Sequence, residues 1–154
     1  MIHIPSFNDL QPEFIVCDYN GTIARDGIVE RGVQSLFDKL AKEYHIFVLT
    51  ADTFGSVKTQ LQGFACEVKI LSSRDHTAEK AAFVRELGAS KCVAIGNGNN
   101  DAKMLETALL GIAVMGAEGC SKEAMLASDL LISSATEALE LLHHPKRLIA
   151  TLRR

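Results

Sequence analysis

The sequence lacks the patterns that characterise membrane, secreted and nucleic-acid-binding proteins. No apolar run approaches the roughly 20 residues that a membrane-spanning helix requires. The first ten residues contain no basic start followed by an apolar stretch, so we expect no signal peptide. Lysine and arginine total 16 against 19 aspartate and glutamate, and without a basic excess we expect no nucleic-acid partner.

The four cysteines show no spacing that indicates a metal site. None belongs to a Cys-x-x-Cys pair, and none has a histidine at the distance typical of zinc ligands. They are Cys17, Cys66, Cys92 and Cys120, and the first three lie in or beside strand-like runs. We interpret them as small buried apolar residues in a reducing compartment, which predicts a cytoplasmic location.

Apolar runs alternate with amphipathic segments from residue 14 onward. Runs typical of buried strands occupy residues 14–17, 46–49, 92–95, 112–115 and 130–132. A more exposed strand is predicted over Cys66–Leu71, and segments of helical period lie between most strands. This alternation predicts an α/β fold with a Rossmann-like, doubly wound parallel sheet covered by helices on both faces. The length of 154 residues predicts a single domain over 1–154.

A carboxylate ends the first of these buried strands, in the motif Asp-Tyr-Asn-Gly-Thr over residues 18–22. Open α/β sheets bind ligands at the carboxyl ends of their strands. Asp18 in that position can act as a covalent nucleophile toward phosphate or as a ligand for a hard cation. Alternatively, Asp18 caps a turn and Asn20-Gly21 is an ordinary loop signal.

Residues 22–30 form two short arms around Asp26-Gly27. An Asp-Gly pair between such arms is typical of a tight β-hairpin, which would form a small flap beside Asp18. An irregular loop fits the local sequence equally well. Before the first core strand, residues 1–13 contain two prolines and are predicted to be an edge segment leading into the sheet.

Polar residues from distant parts of the chain are predicted to meet Asp18, because parallel strands all end at the same edge of a sheet. Thr50 ends the second core strand, and the loop Gly96–Asp101 (Gly-Asn-Gly-Asn-Asn-Asp) follows a later one. Such a loop lets the backbone approach an anion or a metal, although a simple turn is the alternative. We interpret Asp52 as the N-cap of a helix that starts near Thr53.

Lys80 lies near the start of a predicted helix over 77–87 and on the buried side of that helix. Phe83, Val84 and Leu87 follow it at three, four and seven residues, which places all four on one stripe. A lysine in this position is costly unless it meets an anion. A lysine that extends its head to solvent is the alternative.

Taken in order, these features resemble the signature of the haloacid dehalogenase superfamily of phosphohydrolases. The features are Asp-x-x-Gly-Thr, a strand-ending Thr, a helix-start Lys and Gly-x-Gly-x-Asn-Asp, and the resemblance covers roughly residues 14–132. The sequences of residues 18–22, 49–55 and 96–101 are similar to those of a branch known as soluble P-type ATPase-like proteins. The resemblance implies that the strand of Asp18 lies beside the strand before Gly96.

The resemblance also implies roles for individual residues. The implied catalytic residues are Asp18, Asn20, Thr50 and Lys80, with Asp18 as the nucleophile that becomes an aspartyl-phosphate. The implied phosphate-binding residues are Thr50, Ala51, Lys80 and Asn100. Mg²⁺ is the implied cofactor, and its implied ligands are Asp18, the backbone carbonyl of Asn20, Asn97 and Asp101.

Two positions depart from the family pattern. Phosphatases of this family usually carry an Asp two residues after the nucleophile as general acid and base, a role typically worth about 10²–10⁴ in rate. Here that position is Asn20, and an amide cannot transfer the proton. Where the loop usually presents a metal-binding Asp, this chain has Asn97, whose neutral oxygen predicts weaker magnesium binding.

The sequence therefore predicts a magnesium-dependent phosphohydrolase of low or specialised activity on a phosphorylated small molecule or macromolecule. The first alternative is a non-catalytic phosphate- or metal-binding regulatory module with a degenerate site, which Asn20 and Asn97 favour. The second is an enzyme that passes its phosphoryl group to another acceptor. Core elements fill the intervals between Thr22 and Leu49 and between Thr50 and Lys80, so the resemblance implies an uncapped member. Such members often use a neighbouring subunit as a lid, which makes a homo-oligomer plausible.

Overall fold

The computed structural model describes residues 1–52 and 55–154. In these ranges the strands are β1 (Ile2–Ile4), β2 (Asn8–Leu10), β3 (Phe14–Asp18), β4 (Ala24–Arg25), β5 (Ile28–Val29), β6 (His45–Thr50), β7 (Glu67–Ile70), β8 (Cys92–Gly96), β9 (Leu110–Val114) and β10 (Leu130–Ile132). The helices are α1 (Val33–Leu40), α2 (Ser56–Gln60), α3 (His76–Leu87), α4 (Ala102–Thr107), α5 (Lys122–Ala127), α6 (Ala135–His143) and α7 (Pro145–Leu152). A 3₁₀ turn over Asn99–Asp101 leads into α4.

Strand β3 lies inside a six-stranded parallel sheet with the order β10-β9-β8-β3-β6-β7. It pairs with β6 on one side, where Asp18 lies opposite Leu49, and with β8 on the other, where Cys17 lies opposite Ile95. The chain thus proceeds outward from β3 first to one side and then to the other. The crevice beyond the carboxyl ends of β3 and β8 is a topological switch point. The predicted α/β, Rossmann-like parallel sheet is confirmed.

Successive side chains of β3 enter opposite faces of the sheet, as the two-residue period of a strand requires. Ile15 and Cys17 join a core that includes residues of α1, α6 and α7, whereas Val16 joins a second core with α3, α4 and α5. All three side chains are 0% exposed. Because both faces of the central strands are buried, polar residues are confined to the strand ends.

The flap after β3 is a hairpin, which resolves the choice between a hairpin and an irregular loop. Strands β4 and β5 pair antiparallel, with Ala24 opposite Val29 and Arg25 opposite Ile28. Asp26 and Gly27 at its tip both have positive φ angles, as the Asp-Gly signal predicts. The backbone amide of Gly21 donates to the carbonyl of Ala24, which holds the base of the flap against the end of β3.

The first thirteen residues differ from the predicted edge segment. Strands β1 and β2 pair antiparallel in a separate two-stranded sheet and do not join the central one. Ile4 and Leu10 are 1% and 0% exposed and belong to the core on the α7 face. Burial of these apolar side chains in that core anchors the hairpin.

Helix α2 begins at Ser56, and Thr53, where the sequence places its start, lies outside the described residues. The N-cap residue of α2 is Gly55 and not Asp52 as predicted, although Asp52 Oδ2 accepts from the backbone amide of Val57 in the first turn at 2.9 Å. Between β3 and β6, and between β6 and α3, the described chain forms core elements and the flap, without an inserted domain. In the described ranges, no helix combines the length and apolar character needed to cross a bilayer.

Candidate active site

A cavity of about 290 Å³ opens at the carboxyl edge of the sheet, beyond β3, β6 and β8. Its lining residues are Asp18, Asn20, Thr50, Ala51, Leu71, His76, Lys80, Asn97, Gly98 and Asn100. Seven of the eight residues singled out from the sequence as site candidates are in this lining. The eighth, Asp101, lies outside the lining and contacts Lys80. Residues up to 82 positions apart in the chain therefore meet because parallel strands end at one edge.

Lys80 forms the centre of a buried charge cluster. Its Nζ donates to Asp18 Oδ1 and to Asp101 Oδ1, each at 2.8 Å, and to Asn100 Oδ1 at 3.3 Å. Lys80 is 2% exposed, so it does not extend its head to solvent. The anion that this buried lysine was expected to require is a pair of carboxylates from β3 and the 3₁₀ turn.

The cluster raises the pKa values of both Asp18 and Lys80, which favours the neutral form of Asp18 and the charged form of Lys80. Burial raises the pKa of Asp18, the Asp101 carboxylate raises it further, and Lys80 opposes both without cancelling them. Burial lowers the pKa of Lys80, but Asp18 and Asp101 outweigh burial and leave that pKa raised. Lys80 therefore stays charged at neutral pH.

Asp101 holds the loop that follows β8. Its Oδ2 accepts from the backbone amides of Asn97 and Gly98, both at 3.0 Å, and the residue is 0% exposed. A Cβ at position 96 would lie 2.6 Å from the Asp101 carboxyl carbon, which is why glycine occurs there. Both Asp101 oxygens are engaged by protein donors. Asp101 thus links Lys80 to this loop, and its expected role as a metal ligand stays a prediction.

Thr22 connects the nucleophile candidate to the metal-ligand candidate Asn97. Its hydroxyl lies 3.3 Å from Asp18 Oδ2 and 3.2 Å from Asn97 Oδ1. Asn97 Nδ2 donates to the carbonyl of Gly119 at 3.2 Å, which fixes the amide so that its oxygen is directed toward Thr22 and Asp18. Gly21 has φ 79°, and a Cβ there would lie 2.6 Å from Asn97 Nδ2. The Gly-Thr of the motif thus shapes this side of the cavity.

The donor set near Asp18 consists of oxygens, the ligand type that Mg²⁺ prefers. The Asp18 carboxylate and the Asn97 amide oxygen are brought close by their shared contact with Thr22. Within residues 1–52 and 55–154, no group of three or more His, Cys, Asp or Glu side chains is arranged to hold a metal ion. These oxygens could hold a magnesium ion that takes few protein ligands.

The remaining candidates surround the mouth of the cavity. Thr50 is buried, and its Oγ accepts from the backbone amide of Asp52 at 3.2 Å, so its own hydrogen is available to a ligand. Ala51 and Asn100 are exposed at the cavity, and Asn100 turns its oxygen to Lys80 and keeps its NH₂ group for another acceptor. Asn20 is exposed at the lining as well.

Sequence reasoning missed His76, the first residue of α3, which also lines the cavity. The available signal was its spacing, because His76 precedes Lys80 by four residues and so shares its helix face. Sequence reasoning also gave no separate role to Thr22, because its contact with Asp18 depends on the conformation of the turn between them. Neither role could be recognised before the position of the cavity was known.

Part of the chain matches known proteins in sequence. The family model for haloacid dehalogenase-like hydrolases matches residues 73–137, which include Lys80 and the loop Gly96–Asp101. An uncharacterised protein of Methanocaldococcus jannaschii is 48% identical over 63 residues, which are 41% of this chain and 68% of that protein.

Two solved structures share the fold at low sequence identity. The 3-deoxy-D-manno-octulosonate 8-phosphate phosphatase of Moraxella catarrhalis, in complex with magnesium, phosphate and KDO, is 19% identical with a TM-score of 0.66 over 92% of this chain and 94% of that one. The cobalt-bound deoxy-D-mannose-octulosonate 8-phosphate phosphatase of Haemophilus influenzae is 12% identical with a TM-score of 0.70 over 90% and 88%. At these identities the similarity is one of fold.

Proposed function

The chain belongs to the haloacid dehalogenase superfamily of hydrolases, and from that premise we propose that it is a magnesium-dependent phosphatase acting through an aspartyl-phosphate on Asp18. The observation that carries the proposal is the contact of Lys80 with Asp18 at 2.8 Å inside a cavity lined by Thr50 and Asn100. A carboxylate, a fixed cation and neutral donors in one cavity are the parts that phosphoryl transfer requires.

In the proposed reaction, a carboxylate oxygen of Asp18 attacks the phosphorus of a bound phosphomonoester. Lys80 compensates the negative charge on the phosphoryl oxygens and holds Asp18 in position. The Thr50 hydroxyl, the Ala51 backbone amide and the Asn100 NH₂ group donate to the same oxygens. Water then hydrolyses the aspartyl-phosphate, which releases phosphate and restores the free carboxylate.

The metal in this proposal would be held by Asp18, the carbonyl of Asn20 and the amide oxygen of Asn97. Bound magnesium would supply positive charge beside the nucleophile and the transferred group. Asp101, the remaining ligand implied by the sequence, would act at the back of the site, where its oxygens also accept from Lys80 and from two backbone amides of the loop. With few protein ligands, the ion would bind mainly together with the substrate phosphate.

The substrate proposed is a phosphorylated small molecule or macromolecule, because the flap alone leaves the cavity open. We also propose that a second copy of the chain covers this edge in a homo-oligomer. Ile28 at the flap is 64% exposed and Met115 after β9 is 50% exposed, and both lie on the edge that carries the cavity. Exposed apolar side chains in this position favour a protein contact.

A non-catalytic phosphate-binding module is the second candidate, and the observations that favour it are Asn20 and Asn97. Such a module would bind phosphate at Lys80 and Thr50 without turnover.

The test compares wild-type protein with Asp18→Asn on acetyl phosphate and p-nitrophenyl phosphate, with and without magnesium. We expect magnesium-dependent phosphate release by the wild type and none by Asp18→Asn, because the amide cannot form the phosphoenzyme. Asp38→Asn, at an exposed position on α1, is the matched control and should retain full activity. Equal rates for wild type and Asp18→Asn would remove Asp18 from the nucleophile role, and a silent wild type would favour the module.

A further inference from the structure

We propose that His76 is the general acid and base of this site. It would take over the proton transfer that a carboxylate at position 20 usually performs in the family. The inference rests on the proposed phosphatase function. On this view the site is complete but takes its proton-transfer group from α3 instead of from the turn after β3. The chemistry concerned is transfer of a proton to the leaving oxygen of a phosphomonoester and from the attacking water.

The helix geometry brings the imidazole to the reaction cavity. His76 precedes Lys80 by four residues on α3, so the two side chains lie on the same face, one turn apart. Helical side chains lean toward the amino terminus of their helix, and the α3 terminus lies at the cavity. Lys80 is buried and contacts Asp18, whereas His76 is half-buried at the same cavity, and the proposal places the leaving group beside it.

Elimination among the lining residues points to the same side chain. Of the described residues that line the cavity, the titratable ones are Asp18, His76 and Lys80. Asp18 is the nucleophile, and Lys80 is locked as a cation between two carboxylates. Because Asp18 and Lys80 have other tasks, His76 is the remaining titratable side chain in this lining, and imidazole is a side chain that can donate and accept protons in catalysis.

The groups around His76 leave its ring free for a substrate. On α3, the Asp75 carboxylate accepts from the Ala78 amide, and Glu79 accepts from the amides of Ser72 and Ser73. From β3 and the 3₁₀ turn, Asp18 and Asp101 face the same cluster and share Lys80. In the described part of the chain, no residue forms a hydrogen bond or ion pair with the His76 ring.

The proposed steps balance in protons and bonds. When Asp18 attacks, the bond from phosphorus to the substrate oxygen breaks, and His76 in its imidazolium form donates a proton to that oxygen. An alcohol leaves, and His76 is neutral. Water then attacks the phosphorus of the aspartyl-phosphate while His76 takes the water proton, so phosphate is released and the imidazolium is restored.

The test uses leaving groups that differ in their need for a proton. Phenolate and alkoxide leave poorly unless protonated, whereas acetate is stable as an anion. For His76→Gln we expect kcat/KM on phenyl phosphate to fall by about 10²-fold or more, and on acetyl phosphate by only a few-fold. For the wild type, the ratio of kcat/KM on phenyl phosphate to kcat/KM on acetyl phosphate should fall as pH rises and the imidazolium form is lost, and for His76→Gln this ratio should be flat.

His45→Gln is the matched control, because His45 is exposed at the amino end of β6, on the opposite edge of the sheet. Recovery of phenyl phosphate turnover when Asn20→Asp is added to His76→Gln supports the proposal. Equal losses on both substrates, or no loss, would overturn it while the phosphatase function stands. A wild type silent on acetyl phosphate would instead overturn the proposed function and this inference together.

Discussion

Asp18 is 9% exposed at the carboxyl end of β3, where an ionised side chain is costly. Burial and the neighbouring Asp101 raise its pKa above the ordinary carboxylate value of about 3.9. At a pH below the ordinary carboxylate pKa, the Asp18 side chain is protonated in both the folded and the unfolded chain. As pH rises, the unfolded chain loses its proton first, so Asp18 lowers the free energy of unfolding progressively toward neutral pH. The proposed nucleophile is therefore maintained at a cost in stability.

Asp18→Asn should consequently stabilise the fold while it abolishes turnover. The amide oxygen can still accept from Lys80, and Lys80 keeps Asp101 as its partner. We expect Asp18→Asn to have the higher melting temperature in EDTA, with a difference that grows from pH 4.5 to pH 7.5. Calorimetry at three pH values measures this; a difference that shrinks with rising pH would contradict the raised pKa.

A second prediction at the residue scale concerns Asn97, the proposed magnesium ligand. Asn97→Asp adds a negative charge beside Asp18, so we expect the magnesium concentration for half-maximal activity to fall by about tenfold. In EDTA the same variant should melt at a lower temperature, because the new carboxylate faces the carbonyl of Gly119 without a donor. Activity and melting titrations with magnesium measure both effects.

Asn99→Asp is the matched control for Asn97→Asp. Asn99 is exposed in the same loop and contributes no side chain to the cavity lining, so it adds the same charge without a metal contact. Equal gains in magnesium affinity for both variants would show a general electrostatic effect and would remove Asn97 from the metal site.

The structural element that depends most on this cluster is the loop Gly96–Asp101, which contacts α3 through Asp101 and Lys80. Lys80→Met leaves two buried carboxylates without their cation, and loss of one partner from a buried pair typically costs about 3–5 kcal/mol. We expect a loss of that size in the free energy of unfolding at neutral pH. Urea denaturation of the variant and the wild type measures it.

A second substitution separates the charge effect from packing. Adding Asp101→Asn to Lys80→Met removes one of the unpaired charges and should recover part of the lost stability. Lys103→Met, at an exposed position of α4, should change the free energy of unfolding by less than about 0.5 kcal/mol. If the double variant were less stable than Lys80→Met by the full cost of Asp101→Asn alone, the two residues would not be coupled.

At the scale of the whole molecule, the edge that carries the cavity exposes two large apolar side chains, Ile28 and Met115. The proposed homo-oligomer would bury Ile28 and Met115 and cover the substrate. Ile28→Asp should then shift the protein to monomers and lower kcat/KM for larger phosphomonoesters, because the cover is lost. Light scattering coupled to size-exclusion chromatography measures the mass.

Leu126→Asp is the control for Ile28→Asp. Leu126 is 71% exposed near the end of α5, away from the edge that carries the cavity. It should leave the mass unchanged. A wild type that elutes as a monomer at all concentrations would refute the proposed oligomer.

Much of the fold follows from local pattern, but parts depend on partners that local pattern does not reveal. The continuous apolar runs of β3, β6 and β8 predicted a parallel sheet, since strands buried on both faces need no polar alternation. The Asp-Gly signal favoured a hairpin but could not exclude a loop until the paired arms were seen. The N-terminal hairpin was missed because three-residue strands carry too little periodicity, and their burial depends on the distant α7.

The sequence by itself determined the sheet, the edge at which polar residues meet, and the presence of Asp18, Thr50 and Lys80 there. These features depend on strand ends and helix starts, which local periodicity marks. Only the tertiary structure decided that Asp101 serves Lys80 and the loop amides, that Thr22 bridges Asp18 and Asn97, and that His76 lines the cavity. Those relations depend on distances of a few ångströms between distant segments, and side-chain direction at that scale is fixed only when the packed core fixes the backbone.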